Sequence, residues 1–478
     1  MLNSLDTITS IASTGLGAAQ AGIAVLSDNI ANAGVPGYTD KQLPLSAFEA
    51  GGEVDGVEQG AISRSVDSAL QANVWSSASS VGELTVQSQV LGAINATQGA
   101  PGDGTSLADR ITALQSSFTL LQADPSSQTQ QSAVVAAAGS LAGSINDTAA
   151  EITTERNDVQ SQVVSAVNTL NTALATVQST TQQIEAATSA GQDTANLEDQ
   201  RDSALQTISG LLSVQYDKQA NGGITILGQN GFSIPLDSRF TTSAATLSPS
   251  SSYAAGGTSV PPILLASSNP AAAPVDVTQS LTGGTLGGLI QLRDTTLPAY
   301  TAQLDNLSAK LANNLGSNGL QLFTDGSGTE PLTSYAGLSS QIQVNAAVTA
   351  NPALVRDGTP GSSYPVNPAN GPADYSDLIN RVVSSGFSAT ATTTSPGADA
   401  QAFISQQSAA ASQASTDLTN AQSYQSTLAG KLSDSSGVNV DTELGTMIKL
   451  QNSYQANARV MQTTQTLFNA LLTATAPV

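Results

Sequence analysis

Paired carboxylates are the residues of this sequence whose spacing comes closest to that of a catalytic site. Glu151 and Glu155 are one helical turn apart, as the two carboxylates of a glycoside hydrolase could be, but polar helix faces commonly carry such pairs. Asp325–Glu330, with the sequence Asp-Gly-Ser-Gly-Thr-Glu, is a poor calcium loop and is typical of a surface turn. Neither pattern identifies an active site, and we predict that the chain is not an enzyme.

The composition excludes whole classes of catalytic chemistry. The 478 residues include no histidine and no cysteine. A Ser-His-Asp or Cys-His nucleophile, a Cys/His zinc site, a thiolate-held iron–sulfur cluster and a disulfide bond are therefore impossible. The run 283–288 is glycine-rich but lacks the phosphate-loop and dinucleotide patterns, so we expect a turn followed by a helix start there. No cofactor and no metal is predicted.

Charged residues are scarce and mostly acidic. Fourteen basic and 36 acidic residues give a formal net charge of −22, and charged residues make up 10% of the chain. A nucleic-acid-binding protein needs a basic face, so nucleic acid is not an expected partner. The remaining surface of small polar residues suits extensive packing against other proteins. It is equally consistent with a source organism that uses few charges.

The start of the sequence lacks a recognisable targeting signal. The first basic residue is Lys41, and residues 1–21 have neither the basic region nor the compact apolar region of a secretory signal. No run approaches ~18 apolar residues, so no membrane-spanning helix is expected. If the protein leaves the cell, we expect a route that cleaves no signal peptide.

Amphipathic helices are predicted at both ends of the chain. Apolar and small residues recur there in steps of three and four, which is the spacing of a coiled-coil seam. The large members of the two seams are Leu5, Ile8 and Leu26 near the N-terminus and Met447, Met461, Phe468 and Leu472 near the C-terminus. Because neither seam has an obvious local partner, pairing of the two helices is favoured over packing on separate domains.

Long helices are also predicted in the interior. Helical spacing covers 78–95, Ser106 can cap a helix that stops near residue 124, and 128–188 is mostly helical with a heptad seam. A helix over 196–212 carries the polar run 198–202 on its outer side, as a solvated or a structural ion cluster. A helix over 289–315 and a helical pair over 399–432 complete the set.

Short strands are predicted near the middle of the chain, at 222–227, 232–236 and 341–344, whereas 40–75 is expected to be mixed and extended. The expected fold class is α+β and mainly α, with small central β-rich outer regions beside a helical bundle or coiled-coil domain. The predicted division is an inner terminal-helix domain of 1–40 and 440–478, a helical domain of 41–215, 281–320 and 399–439, and outer regions of 216–280 and 321–398.

Motifs at both ends resemble those of the flagellar rod, hook and hook-associated protein family. Near the N-terminus these are Ser-Asp-Asn-Ile-Ala-Asn, with Asn29, Ile30 and Asn32, followed by Pro36, Gly37 and Tyr38. Near the C-terminus they are the runs 438–444 and 454–460, which include Tyr454 and Asn457. Val35 and Asp40 stand where the family usually has Thr before the proline and Arg or Lys soon after the tyrosine.

Two interior motifs resemble the hook-associated members of that family, whose interior is helical, rather than hook proteins, whose interior is mainly β. One is the run Asp199, Gln200, Arg201 and Asp202, and the other contains Gly287, Gly288, Arg293 and Asp294. The resemblance implies a structural protein that self-assembles into a ring joining the flagellar hook to the filament. The implied partners are the hook protein, a second hook–filament junction protein and a cytoplasmic flagellar export chaperone, with no membrane.

The resemblance further implies export through the flagellar type III pathway to an extracellular position, without a cleaved signal peptide. Residues 29–38 would form the bend between the inner helix and the next layer. An ordinary turn in which Asn29 and Asn32 cap backbone groups is compatible with that role. A flagellar hook or distal rod protein remains an alternative. So does a secreted surface adhesin, which would explain the Ser/Thr/Gly-rich outer region.

Overall fold

Helices make up most of the chain. The structure is a computed structural model, and it describes residues 2–50, 53–99, 102–252, 254–255, 257–266, 272–327, 335–361, 364–368, 371–389 and 394–475. Within these ranges the α-helices are α1 (Leu2–Asn32), α2 (Ser68–Thr97), α3 (Leu107–Ala123), α4 (Gln128–Ser189), α5 (Ala195–Leu211), α6 (Gly284–Gln291), α7 (Leu297–Gly316), α8 (Ala346–Ala350), α9 (Leu354–Asp357), α10 (Asp377–Arg381), α11 (Pro396–Ser436) and α12 (Val440–Thr475). The predicted mainly helical α+β class is confirmed.

The strands are short and form small separate sheets. They are β1 (Lys41–Gln42), β2 (Leu45–Ala50), β3 (Glu53–Gln59), β4 (Ser63–Arg64), β5 (Val214–Lys218), β6 (Ile224–Gly228), β7 (Ser233–Ile234), β8 (Arg239–Thr241), β9 (Leu264–Ala266), β10 (Val275–Asp276), β11 (Phe323–Thr324) and β12 (Gln343–Val344). β1 pairs with β4, β2 with β3 and β11 with β12, while β5-β6-β7 and β10-β9-β8 are three-stranded. The strands predicted near 222–236 and 341–344 are therefore present, with tighter bounds.

The described chain divides into two compact units. Unit 1 contains Met1–Ser80, Thr169–Arg239 and Ala421–Val478, and unit 2 contains Val81–Asn168 and Phe240–Asn420. Helices α2, α4 and α11 each contribute residues to both units. The three-part division predicted from the sequence is finer than this one and stays a prediction.

In unit 1 the two terminal helices pair, as predicted, through small residues. A Cβ atom on Gly15 would lie 2.7 Å from the Asn457 amide nitrogen, and one on Gly22 would lie 2.7 Å from a Leu450 methyl carbon. These two glycines therefore let α1 and α12 approach closely. Leu26 is buried in this interface.

The prediction of the seam is wrong at its outer end. Ile8, Phe468 and Leu472 are 42%, 44% and 54% exposed. Contacts of Gly15 with Asn457 and of Gly22 with Leu450 set an antiparallel register. That register places Leu472 beyond the start of α1. The apolar spacing of α12 therefore extends past the last residue of α1 that could cover it.

Unit 2 has a core built on long helices. In α3 the predicted apolar residues Ile111, Leu114, Phe118 and Leu121 are all buried. Ser106 caps α3 by accepting a hydrogen bond from the Asp109 backbone nitrogen at 3.3 Å, as predicted.

Three predicted element boundaries are wrong. The extended segment predicted to reach residue 75 ends earlier, because the Asp67 carboxylate accepts bonds from the backbone nitrogens of Ala69 and Leu70 and starts α2 at Ser68. The helix expected from residue 289 begins at Gly284, so Gly287 and Gly288 lie inside it. The helical pair expected over 399–432 is one continuous helix, α11.

One described segment, Leu5–Asn32 of α1, is long and apolar enough to cross a membrane by length and composition. This differs from the expectation that no segment reaches that threshold. A helix that buries one face against another helix passes the same test, and α1 does so against α12.

Candidate assembly site

Asn29 joins three separate segments of unit 1. Its side chain is fully buried near the end of α1. The amide nitrogen donates to Asp40 Oδ1 at 2.9 Å, to the Lys41 carbonyl at 2.9 Å and to Glu443 Oε2 of α12 at 3.1 Å. The amide oxygen accepts from the Tyr38 hydroxyl at 3.0 Å and from the Lys41 backbone nitrogen at 3.2 Å. A single side chain therefore connects α1, the start of β1 and α12.

The motif residues between α1 and β1 form a tight turn. The Val35 nitrogen donates to the Asn32 carbonyl at 2.9 Å, and the Tyr38 nitrogen donates to the Val35 carbonyl at 3.2 Å. Gly37 has φ of 84°, a left-handed conformation that favours glycine. The predicted bend at Pro36 and Gly37 is thus present.

Tyr38 lies among carboxylates and beneath a lysine. Burial, followed by the negative charges of Asp28, Asp199, Asp40 and Glu443, raises the pKa of Tyr38 to about 12. The Lys41 ammonium is 4.0 Å from the centre of the Tyr38 ring. The tyrosine therefore stays protonated and keeps donating its hydrogen bond well above neutral pH.

Asp40 links the turn to the other end of the chain. Its carboxylate accepts from Asn29, and its backbone nitrogen donates to the Ser436 carbonyl at 2.9 Å. The Ser436 hydroxyl in turn accepts from the Asp67 nitrogen at 3.2 Å. The connection between α11 and α12 is therefore tied to the segment that follows the N-terminal motif.

A buried ion network holds β1 and β4 against α5. Arg64 of β4 pairs with Glu198 at 2.9 Å, Asp199 at 2.7 Å and Asp202 at 3.0 Å. Lys41, which is 4% exposed, pairs with Asp199 at 3.3 Å. The network therefore gathers the three acids of the α5 motif around bases from the strand segment.

Further contacts complete the network on α5. Lys218 pairs with Asp202 at 3.3 Å, and Gln71 of α2 donates to the same carboxylate at 3.0 Å. Lys41 also donates to Asn196, and Thr39 donates to Asp199 at 2.6 Å. Three bases thus face three acids, which leaves little net charge to be buried.

The structure corrects the prediction that the polar run of α5 lies on its outer side. Asp202 and Arg201 are buried, Asp199 is nearly so, and only Gln200 is exposed. Arg201 lies apart from the ion pairs and donates to the Gly222 carbonyl at 2.6 Å. Of the two interpretations given for this run, a structural ion cluster is the one that the structure contains.

The other end-motif residues line the pairing of α1 with α12. Tyr454 accepts a hydrogen bond from Gln20 at 3.4 Å, and Asn457 lies against Gly15. Asn32 donates to the Asp28 carbonyl at 2.8 Å, which is the predicted capping role. Three motif or seam residues, Ile30, Met447 and Met461, are half-buried.

The second interior motif forms a separate site in unit 2. A Cβ on Gly288 would lie 2.8 Å from Val86 and 3.1 Å from the Glu83 carbonyl, so the glycine lets α6 approach α2. A Cβ on Gly287 would lie 2.7 Å from the Thr282 carbonyl carbon. Both positions therefore exclude larger residues.

Arg293 is the most deeply buried charge of that site. It is 0% exposed and pairs with Asp294 at 2.7 and 2.8 Å. It also donates to Gln160 at 2.7 Å and to the Pro261 carbonyl at 3.1 Å. The pair lies in one turn of π-helix, Leu292–Thr296, between α6 and α7.

Arg156 of α4 extends the same cluster. It donates to the carbonyls of Arg293 at 2.8 Å and Ser251 at 2.7 Å. Desolvation and the neighbouring Arg293 lower the pKa of Arg156, while Asp294 opposes that change. The cluster therefore holds two guanidinium groups beside one carboxylate, which pairs with Arg293, and several main-chain carbonyls.

Cavities and acidic side chains adjoin the turn of the N-terminal motif. Among the described residues, no group of three or more His, Cys, Asp and Glu side chains could hold a metal ion. Cavities of about 470 and 430 Å³ flank the turn from Val35 to Tyr38. The acids beside them, Asp199 and Asp202, are engaged in the ion network that joins β1 and β4 to α5.

Sequence reasoning missed several partners of the motif residues. Arg64, Gln71, Lys218, Arg156 and Gln160 were not singled out, although each hydrogen-bonds a motif residue. The low number of basic residues could have pointed to some of these partners. Only 14 of the 478 residues are Lys or Arg, so each of them is a candidate ion-pair partner for an acidic residue of a motif.

Separate family models match the helical interior of the chain and each of its two ends. The family model described as "Flagellar hook-associated protein FlgK helical domain" matches residues 98–328. "Flagellar basal body rod FlgEFG protein C-terminal" matches 431–474, and "Flagella basal body rod protein" matches 10–39.

A curated relative, flagellar hook-associated protein 1 of Escherichia coli (strain K12), is 26% identical over 319 residues, covering 64% of this chain and 56% of that protein. The chain thus spans a little over half the length of this relative. The solved structure of the flagellar hook junction protein FlgK from Burkholderia pseudomallei aligns with a TM-score of 0.44 and 24% identity, over 54% of this chain and 45% of that one.

The family models match both ends that pair in unit 1 and the helical tract that contains the α5 motif and the Arg293 site. With the curated relative they agree with the motifs found at the same positions. In its helical interior the chain is therefore similar to flagellar hook-associated protein 1, and at both ends it is similar to the flagellar basal body rod proteins, all of them structural proteins of the flagellum.

Proposed function

We propose that this chain is a structural subunit of the junction between the hook and the filament of the bacterial flagellum. One observation carries the proposal: the family motifs of both chain ends meet at one buried side chain, Asn29, which bonds Glu443 of α12 and the strand segment that follows α1. A subunit that works through its paired ends needs such a joint, because the seam of small residues gives little burial by itself.

The proposed partners follow from that position. The subunit assembles with copies of itself into a ring and contacts the hook protein and a second junction protein. It is held by a cytoplasmic chaperone before export and is exported without a cleaved signal peptide to its extracellular position. Absence of histidine and cysteine suits a protein that performs no catalysis and passes an export channel unfolded.

The structure argues against one alternative. A hook protein proper has a mainly β interior, whereas the region from α2 to α5 is helical and matches the hook-associated helical domain. A surface adhesin differs in its dependence on 320–398: deletion of that segment would remove binding and leave filament attachment intact.

A charge in the terminal seam tests the proposal. Leu26 is 8% exposed and lies on the same face of α1 as Gly22, which packs against α12. The substitution Leu26→Asp therefore buries an unpaired carboxylate and should destabilise the pairing of α1 and α12 by about 3 kcal/mol. In a strain that lacks its junction subunit, the wild-type chain should restore filaments. The Leu26→Asp chain should be exported but leave hooks bare, as counted by electron microscopy.

Ala24→Asp is the matched control, because Ala24 lies in the same helix and is exposed. In the same strain the Ala24→Asp chain should restore filaments as the wild type does, whereas Leu26→Asp should not. Failure of the wild-type chain to restore filaments would contradict the proposed function. Normal filaments with Leu26→Asp would contradict the role of the seam.

A further inference from the structure

The β2–β3 hairpin of unit 1 carries acidic and apolar side chains with no base. Residues 45–59 include four acids and no Lys or Arg. Leu45, Phe48 and Val54 are 46%, 48% and 50% exposed. In the described part of the chain, the carboxylates of Glu49 and Glu58 are exposed and form no ion pair. By the strand register, Phe48 and Glu58 lie on one face of the hairpin and Glu49 and Val54 on the other, so each face carries an exposed apolar side chain and an unpaired carboxylate.

The hairpin is fixed firmly on α1 by its second strand. Thr14 accepts a hydrogen bond from the Val57 nitrogen at 3.1 Å, and a Cβ on Gly56 would lie 2.7 Å from the Thr14 hydroxyl. The Ser10 hydroxyl donates to the Asp55 carbonyl at 3.2 Å. Among the described residues β2 pairs with β3 alone, so its other edge is open. A fixed hairpin with an open first strand is suited to contact another molecule.

Helix α12 presents a surface of the opposite kind. After Glu443 its only charged residues are Lys449 and Arg459, both exposed and without an ion pair in the described part of the chain. Leu444 and Ile448, one helical turn apart, are 45% and 60% exposed. By helical periodicity these four residues lie on the side of α12 that faces away from α1.

We propose that the β2–β3 hairpin of one copy of this chain docks on the outer face of α12 of a second copy. This contact rests on the proposed function, since it is a contact within a self-assembled ring. Acidic side chains flank apolar ones on the hairpin, and basic side chains flank apolar ones on the helix, so the two surfaces complement each other in charge.

The dimensions of the two surfaces agree. From Leu444 to Arg459 the helix axis rises about 22 Å at about 1.5 Å per residue. The six residues of β2 extend about 20 Å. Since the hairpin and the helix face are different surfaces of the chain, the contact is head-to-tail, and such contacts close into rings or continue as helical arrays.

Charge reversal tests the contact in the full-length chain. Glu49→Lys with Glu58→Lys reverses the hairpin, and Lys449→Glu with Arg459→Glu reverses the helix. Each double variant should lower the number of filaments on hooks at least tenfold, while export stays at the wild-type level. Asp217→Lys and Lys431→Glu are the matched controls, because both residues are exposed elsewhere in unit 1, and both should behave as wild type.

Co-expression of the two reversed chains separates a contact between copies from one within a chain. Each reversed hairpin then meets a reversed helix of the other copy, so filaments should return. The chain with all four substitutions should also be rescued. Rescue of the fourfold chain without rescue by co-expression would place the contact inside one molecule and overturn the proposal.

Cysteine crosslinking gives the decisive readout, because the native chain contains no cysteine. A chain with Val54→Cys and Ile448→Cys, treated with a short bismaleimide in isolated hook–filament particles, should form dimers and larger ladders. The single-cysteine chains should give no ladder. Filaments without ladders, or with a crosslink to a different protein only, would overturn the contact and leave the proposed function standing. Failure of the unsubstituted chain to support filaments would instead overturn the proposed function.

Discussion

The two units stabilise buried charge in different ways. In unit 1, Arg64, Lys41 and Lys218 face Glu198, Asp199 and Asp202, so side chains of opposite sign neutralise one another. In unit 2, Arg293 pairs with Asp294 and also donates to Gln160 and the Pro261 carbonyl, while Arg156 donates to the carbonyls of Arg293 and Ser251. The first arrangement joins a helix to strands, and the second fixes irregular backbone to helices.

The dipeptide Arg-Asp occurs in both settings and shows how much the surroundings matter. Arg293 and Asp294 pair with each other at 0% and 5% exposure, and Arg356 and Asp357 do the same at 15% and 19%. In α5, Arg201 and Asp202 are adjacent but bond different partners. The same two residues therefore give a buried pair, a partly exposed pair and two separate contacts.

The largest effect expected is from removal of the unit 2 arginine. Arg293→Met keeps the volume but leaves the buried Asp294 carboxylate without its partner, which should lower the free energy of unfolding by about 4 kcal/mol. Arg356→Met, at the partly exposed pair, should cost less than about 1 kcal/mol. Urea unfolding followed by far-ultraviolet circular dichroism compares the two. Equal losses of unfolding free energy in the two variants would contradict the view that the burial of an Arg-Asp pair sets its contribution to stability.

A smaller loss is expected in the unit 1 network. Asp202→Asn keeps the size of the side chain but removes the charge that faces Arg64 and Lys218, while Glu198 and Asp199 remain to compensate. We expect a loss of about 2 kcal/mol. Trp75, the only tryptophan, packs on Tyr216 with ring centres 4.9 Å apart in this unit, so its fluorescence reports the change. Gln200→Ala, at the exposed position of the same motif, is the control and should leave the transition unchanged.

The smallest effect concerns Tyr38 and depends on pH. Its pKa is raised from 10.0 to about 12 in the folded chain, so the unfolded chain loses this proton first as the pH rises. The contribution of Tyr38 to stability is therefore complete below pH 10 and is lost between pH 10 and about 12. Tyr38→Phe should cost about 1 kcal/mol at neutral pH through the lost bond to Asn29.

Tyr38→Phe should also make the alkaline decline less steep. Ultraviolet titration of the tyrosines should show one fewer group ionising near pH 12 in that variant. Identical titration curves for the two proteins would contradict the assignment of the raised pKa to Tyr38.

Sequence periodicity predicted the long helices well, because heptad spacing directly reflects burial along one face. The seam predicted in α4, which includes Val163, Val167, Leu170 and Leu174, is buried throughout. At Leu472 the same spacing failed, since periodicity records that a face is apolar and says nothing about where its partner ends.

The candidate site was predicted less completely. Asn29 and Tyr38 were found through the motif resemblance, but the bond from Asn29 to Glu443 joins residues more than 400 positions apart, which no local pattern indicates. Arg64 lies in a two-residue strand, which is too short for any periodic signal. The polar run of α5 was placed outside because charged residues are usually solvated, and only the arrangement of Arg64 and Lys41 around it explains its burial.

The hydrogen bond from the Asn29 amide to Glu443 also fixes the register in which the two terminal helices pair. A seam of glycine and alanine looks nearly the same after a shift of seven residues, about 10 Å along the axis, so small-residue packing alone permits slipped alignments. In any slipped alignment the Glu443 carboxylate, which is buried, would no longer accept a hydrogen bond from the Asn29 amide. One asparagine near the end of α1 thus selects a single alignment from several that the seam would accept.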